Sequence, residues 1–255
     1  MKKFILSMSL VLSLGISSDG HLPENFSKYQ SNFLFSCPMP NACFAAFDEY
    51  MNSPEIKSQN FEVDMYAVLH NGWDDATHGV SWYYTDADQY AKSNQIYATS
   101  EAGKTFRAKL NKIGVEQIQE NLSVHTIGVS SGGPTTDNAV SLRWSMNVSN
   151  PAKFLPLWKS FSKSIEKYDW SANAYGLQSH YLGSNGSSIT HEIWSAFSSP
   201  QEALAFLDGL YASKEFAEYS PKADEYSQFV RSYMEVSLKM YNPCLLYTSP
   251  SPRDR

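Results

Sequence analysis

At 255 residues, with 42% hydrophobic and 14% aromatic side chains, the chain can bury the core of one or two domains, which excludes a disordered segment. A formal net charge of -6 and the lack of a basic stripe exclude a phosphate-neutralising surface, so nucleic acid is not an expected partner.

The first residues read as export machinery. Lys2 and Lys3 precede an apolar run from Phe4 to Ile16, too short to cross a bilayer comfortably, and Gly15-Ile16-Ser17 offers small residues for cleavage. Residues 1–17 therefore predict a cleaved secretory signal, with an uncleaved anchor as the alternative. The mature chain is expected in the periplasm or outside the cell, with no membrane attachment after cleavage. Residues 18–29 form a lead.

A first unit is expected over 30–131. It has a short strand near Asn32 to Cys37, a helix from Ala42 to Met51, and a hairpin of Phe61 to His70 with His78 to Thr85. Asp86 with Gln89 caps the next helix, and a strand from Leu122 to Val129 closes the unit. The turn-rich residues 132–139 are a linker.

The second unit, 140–243, repeats the plan. Val140, Leu142, Trp144, Met146 and Val148 alternate as a strand. Asn150-Pro151 starts a helix in which Pro156 predicts a late start or a bend. Ala172 to Leu182 and Ile189 to Phe197 form a hairpin. Ser199, Pro200 and Glu202 make a capping box for a helix running to about Tyr219, with a break near Ser213. Met234, Val236, Leu238 and Met240 alternate as the last strand. Beyond it, Cys244 to Asp254 resembles translated sequencing-adapter DNA, so 244–255 is expected to be read-through that packs against nothing. Without Lys2, Lys3, Arg253, Asp254 and Arg255, Lys+Arg falls from 20 to 16 and Asp+Glu from 26 to 25, a charge of -9. Cys37 and Cys43 then remain, either as a short disulfide suited to an oxidising compartment or with Cys43 as a helix-core thiol.

The two halves match in sequence. Thr77-His78 with GVSWYYT and Asp86 answers Thr190-His191 with EIWSAFS and Ser199. IYATSE at 96–101 answers LYASKE at 210–215. This order of strand, helix, strand, strand, helix, strand is that of a ferredoxin-like unit. Two in tandem resemble the dimeric α+β-barrel superfamily, with the dimer fused into one chain. The resemblance implies an α+β fold in which two sheets face each other around a cavity. It also implies company with cofactor-independent monooxygenases and haem enzymes, so fold does not choose function.

In that arrangement the polar strand faces matter. Glu62, Asp64, Tyr66 and His70 share one face, Arg143 lies on another, and Glu235 and Lys239 on the last. Unpaired, such groups are costly to bury, so they must line a wet or ligand-filled cavity, pair with one another, or face solvent. Tyr66, His70 and Arg143 are expected to line one pocket, with Glu62, Asp64, His125, His180, Glu235 and Lys239 as further ligand-binding candidates. His70, His78, His180 and His191 flank the two hairpins and are weak metal candidates; hydrogen-bonded turn histidines are the alternative. No hydrolase elbow, phosphate loop or dinucleotide fingerprint occurs. The leading reading is an extracytoplasmic protein that binds or senses a small molecule. An enzyme of the barrel type, or a structural domain without a ligand, are the alternatives. No cofactor is required, haem or a metal stays open, and the protein is expected as a monomer or homodimer.

Overall fold

The structure is a computed structural model that describes residues 27–59, 61–72, 74–130, 138–183 and 189–242. The expected signal, most of the linker and the adapter-like tail lie outside the described residues. The elements follow the order β1 (Tyr29–Ser36), α1 (Pro40–Met51), α2 (Pro54–Lys57), β2 (Glu62–Leu69), β3 (His78–Tyr84), α3 (Ala87–Thr99), α4 (Glu101–Ile113) and β4 (Glu116–Ser130). Then come β5 (Val140–Val148), α5 (Pro151–Ile165), β6 (Ala174–Leu182), β7 (His191–Phe197), α6 (Pro200–Ala212), α7 (Lys214–Asp224) and β8 (Ser227–Tyr241).

Local chemistry sets these boundaries. Asp86 and Ser199 each accept a hydrogen bond from a backbone N–H three residues on, as N-caps do. Ser100 and Ser213 then interrupt the long helical stretch in each half. Each has extended backbone and accepts from the N–H of Gly103 at 2.9 Å or of Phe216 at 3.1 Å. The break near Ser213 thus has an unpredicted counterpart at Ser100. Pro156 does not delay α5: Asn150 caps the helix at Lys153 N–H, and the helix runs from Pro151 through Pro156 to Ile165.

The eight strands close into one antiparallel barrel in the order β1-β3-β2-β8-β5-β7-β6-β4. Closure removes the unpaired edges that either half would present alone. Because strand side chains alternate, one set points to the helices and the other into the barrel. The outward set is apolar. Phe61, Val63, Met65 and Trp82 pack with Phe47, Tyr50 and Phe106 from the first-half helices. Leu142 and Phe197 pack with Phe206 and Leu210, and Leu177 with Phe154 and Trp158. Each such side chain contributes about 1.5–3 kcal/mol when fully buried.

The matched Thr-His pairs make the same bonds in both halves. Thr77 Oγ1 accepts from Cys37 N–H and its own N–H donates to Phe35 O, while Thr190 does the same with Val148 and Met146. Val68 N–H donates to Thr77 O as His180 N–H donates to Thr190 O. These bonds align Val68 with His180 and, moving two residues at a time along the strands, Tyr66 with Gln178, Asp64 with Gly176 and Glu62 with Ala174.

Of the several register shifts in the barrel, one in β8 decides where a candidate residue points. Met65 pairs with Lys239 but Tyr66 pairs with Ser237, so a bulge at Leu238 inserts one residue into β8. An extra residue moves everything beyond it to the opposite face. Tyr233, Glu235 and Ser237 point inward, whereas Lys239 and Tyr241 point outward to α1.

Candidate functional site: the barrel interior and the sheet–helix cavities

The inward faces supply a dense polar network. Arg143 lies at its centre with 5% exposure. Its Nε donates to Glu235 Oε2 at 2.7 Å and its Nη1 to Glu192 Oε1 at 3.2 Å. Gln178 Nε2 donates to Glu192 Oε1 at 2.9 Å and Tyr233 OH to Glu192 Oε2 at 3.2 Å. Nearby, Ser237 Oγ donates to Asp64 Oδ1 at 2.6 Å. Burial alone would push the Arg143 guanidinium down, but the Glu235 and Glu192 charges hold it well above its usual range. Burial raises the Glu235 carboxyl against the opposing pull of Arg143. Burial pushes Glu62 up to about 9, with a further push from Asp64, and burial raises Asp64 to about 7.

Glycine makes room for rings inside the barrel. A Cβ on Gly79 would fall 2.4 Å from the Tyr66 ring, and one on Gly176 would fall 2.6 Å from the Trp194 indole. Each ring lies across its cross-strand partner glycine.

Of the residues singled out in the sequence, Glu62, Asp64, Tyr66, Arg143 and Glu235 share this interior, and His125 and His180 lie on inward faces of β4 and β6. Burial, then the Arg143 charge, lowers His125 to about 3, so its imidazole stays neutral; its ring meets Trp194 edge-on at 6.4 Å. Two candidates lie elsewhere. His70 follows the end of β2, exposed, with φ 54, so the strand ends before this residue can enter the wall and Tyr66 and Arg143 do not share a pocket with it. Lys239 is turned out by the Leu238 bulge and pairs with Asp48 on α1. The four hairpin histidines do not converge. His78 and His191 sit beside Thr77 and Thr190, with Nδ1 to Oγ1 distances of 2.8 and 2.9 Å, on the face opposite His180. Among the described residues no group of three or more His, Cys, Asp or Glu could hold a metal ion.

Glu192 was missing from the sequence reading. The signal was present: in EIWSAF, Glu192, Trp194 and Ala196 share a face, and a charge there belongs with the polar faces of the other strands.

Two cavities with an apolar lining lie on the other side of the wall, between sheet and helices, whereas the sequence reading looked for a cavity between the sheets. The apolar faces leave gaps under the helices, while inside the barrel Arg143 is held by Glu192 and Glu235. One cavity of about 370 Å³ lies under α1, α3 and α4, with Met65, Trp82, Tyr97 and Phe106 on its walls. Beside it, Cys37 and Cys43 are joined in a disulfide, with Cα atoms 6.6 Å apart, and Cys43 lies on the cavity wall. The matching cavity in the second half, about 320 Å³, lies under α5, α6 and α7. Its walls include Trp144, Trp158, Phe161, Phe206, Phe216 and Tyr219. Phe161 and Tyr219 stack with ring centroids 4.1 Å apart. At its edge the Tyr175 hydroxyl donates to the Glu166 carboxylate. Burial first, then Glu166, pushes the Tyr175 phenol up, so it stays protonated.

Solved structures share this architecture. A protein described as a putative monooxygenase from Fusobacterium nucleatum subsp. nucleatum aligns with TM-score 0.59 at 14% identity, over 87% of this chain and 96% of its own. An anthrone oxidase-like protein gives 0.59 at 10% identity, over 89% and 99%. A chlorite dismutase from Candidatus Nitrospira defluvii gives 0.51 at 8%, over 84% and 92%. No family model and no curated protein matches the sequence. The likeness is therefore one of fold, an α+β barrel. Haem, left open by the sequence, needs an axial ligand, most often a histidine or a thiolate. No histidine lines either cavity, and Cys43 is tied in the disulfide. Of the haem donors, these two cavities offer only tyrosine and methionine side chains, among them Tyr97 and Met65 in the first and Tyr175 and Met146 in the second.

Proposed function

We propose that the protein binds a small planar aromatic molecule in the second-half cavity. The observation that carries this reading is the aromatic wall: two tryptophans and a stacked Phe161–Tyr219 pair around about 320 Å³, with one hydrogen-bonding pair at the edge. Ligand sites are mostly apolar with a few placed polar groups. The test uses the neutral fluorophore N-phenyl-1-naphthylamine. It should brighten on binding and quench emission from Trp144 and Trp158. Ser195→Phe, which projects a ring into the cavity from β7, should abolish both effects without lowering the melting temperature. Equal binding by this variant would place the fluorophore elsewhere and sink the proposal.

A second reading is enzymatic, and the Tyr175–Glu166 pair favours it. Solved structures of the same fold are described as a putative monooxygenase and as anthrone oxidase-like. An anthrone-type methylene could give a proton to Glu166 and electrons to dioxygen, its two hydrogens leaving with one oxygen atom as water while the other becomes the new carbonyl. The oxidant is then O₂, taken up one per substrate. An oxygen electrode with anthrone tests this: Glu166→Gln should suppress uptake, and binding without uptake in the unaltered protein leaves only the first reading.

The duplication supports a fused pair of ferredoxin-like units, 30–131 and 140–243, and the N-terminal pattern supports export. N-terminal sequencing of exported protein should begin just after Ser17. A product still carrying Met1 would contradict cleavage.

A further inference from the structure

Inside the barrel the charges do not balance. Glu62, Asp64, Glu192 and Glu235 face inward, and Arg143 binds two of them, Glu192 and Glu235. Arg231, nearer the hairpin end of the barrel, pairs with Asp74 and Gln119. Lys239, which strand alternation would have brought to Glu62 and Asp64, is turned out to Asp48. Glu62 is only 4% exposed, and neither of its carboxylate oxygens has a hydrogen-bond partner. A buried, unpartnered carboxylate is expensive and calls for an explanation.

The duplication shows where space lies beside it. In the first half, Glu62 faces Tyr83 across the ladder. At the matching place in the second half, Ala174 faces Ala196. At the outermost pair one half thus supplies a carboxylate and a phenol and the other two methyl groups, while one step further in the Trp194 indole lies over Gly176, the counterpart of Asp64. Asp64 and Tyr83 keep part of their surface accessible although both point into the barrel. Glu62 is the first residue of β2, and its neighbour Val63 pairs with Tyr241, the last residue of β8, so the site lies at the barrel end.

We propose that this end of the barrel binds a small organic ammonium cation, clamped between Glu62 and Asp64 with the Tyr83 ring against it. Asp64 and, once the cation displaces its proton, Glu62 supply the counter-charge, and an aromatic face attracts a cation further when water is excluded. Among the described residues no third His, Cys, Asp or Glu joins the pair to hold a metal ion, which turns the choice to an ammonium group. The upward push on both carboxyls comes from burial first; Arg143 pulls against it at Asp64, and no cation does so at Glu62 among the described residues. The site is separate from the aromatic cavity, and neither proposal depends on the other.

Calorimetric titration of the whole protein with propylammonium chloride tests this, against sodium, potassium and magnesium chlorides at equal ionic strength. Saturable binding specific to propylammonium is expected. Glu62→Gln and Asp64→Asn should each weaken it at least about ten-fold, a loss of about 1.4 kcal/mol. Ala196→Phe keeps both carboxylates but fills the space opposite them, and should abolish binding. This last variant separates occupancy of the space from any structural role of the acids. No saturable heat at millimolar propylammonium, undiminished binding by Ala196→Phe, or preference for an inorganic cation would each overturn the proposal.

Discussion

Two basic residues on the same barrel wall have opposite environments, and their removal should separate them. Arg143 is buried with two carboxylates on its guanidinium. Arg143→Met strands both acids in the interior, and breaking a buried pair from one side costs about 3–5 kcal/mol. Lys239 and Asp48 are both about a third exposed, with side-chain exposures of 39% and 32%. Lys239→Met should cost within about 1 kcal/mol, as exposed pairs do. Urea melts of both variants would check this, and similar losses would mean that Lys239, too, is held in the interior. Glu62 makes a pH prediction. Its folded pKa rises from 4.5 to about 9, so the folded state holds a proton that the unfolded chain releases. The stabilising contribution is complete below pH 4.5 and is lost as pH rises toward 9. Glu62→Gln cannot ionise, so its melting temperature should gain on the unaltered protein as pH increases across that window. A constant difference across the window would show that Glu62 does not titrate as described.

At the scale of elements, the disulfide is the simplest handle. It ties the chain just after β1 to α1, which roofs the first-half cavity. Closing so short a loop removes about 2 kcal/mol of chain entropy from the unfolded state. Cys37→Ala with Cys43→Ala should lose about that much by urea melt, and no loss would show that the bridge does not constrain the chain. The elements also mark what could be read from sequence. Period-two alternation revealed both hairpins, the inward polar faces and Arg143, because those strands are regular over most of their length. It failed at Lys239 because a bulge at Leu238 depends on register against β2, which the sequence of β8 does not contain. It failed at His70 because the strand ends one residue short. Neither helix break has a proline or glycine at its cap: Ser100 caps through the N–H of Gly103 as Ser213 does through that of Phe216, and only the second was expected. The aromatic cavities were hidden for a different reason: their walls read as ordinary core, and only packing shows where core residues leave a gap.

At the scale of the whole molecule, the two halves are joined along β2–β8 and β4–β6, and these seams can be tested by cutting the chain. Residues 27–130 and 138–242 expressed separately would each present two open edge strands, which seek partners. The halves differ in what a self-made barrel would enclose. A pair of second halves brings its own Arg143 to each Glu192 and Glu235 and supplies alanines at the barrel end. A pair of first halves brings Glu62 and Asp64 twice into one end of the interior with no guanidinium between them, which is costly to bury. The mixed pair places those acids opposite Ala174 and Ala196 and keeps the Arg143 network intact. Co-expressed halves should therefore elute as a one-to-one complex of the mass of the joined segments. The second half alone should form a homodimer, and the first half alone should aggregate. Light scattering on the three samples decides the matter: a soluble, stable homodimer of the first half would show that the interior carboxylates do not direct how the barrel closes.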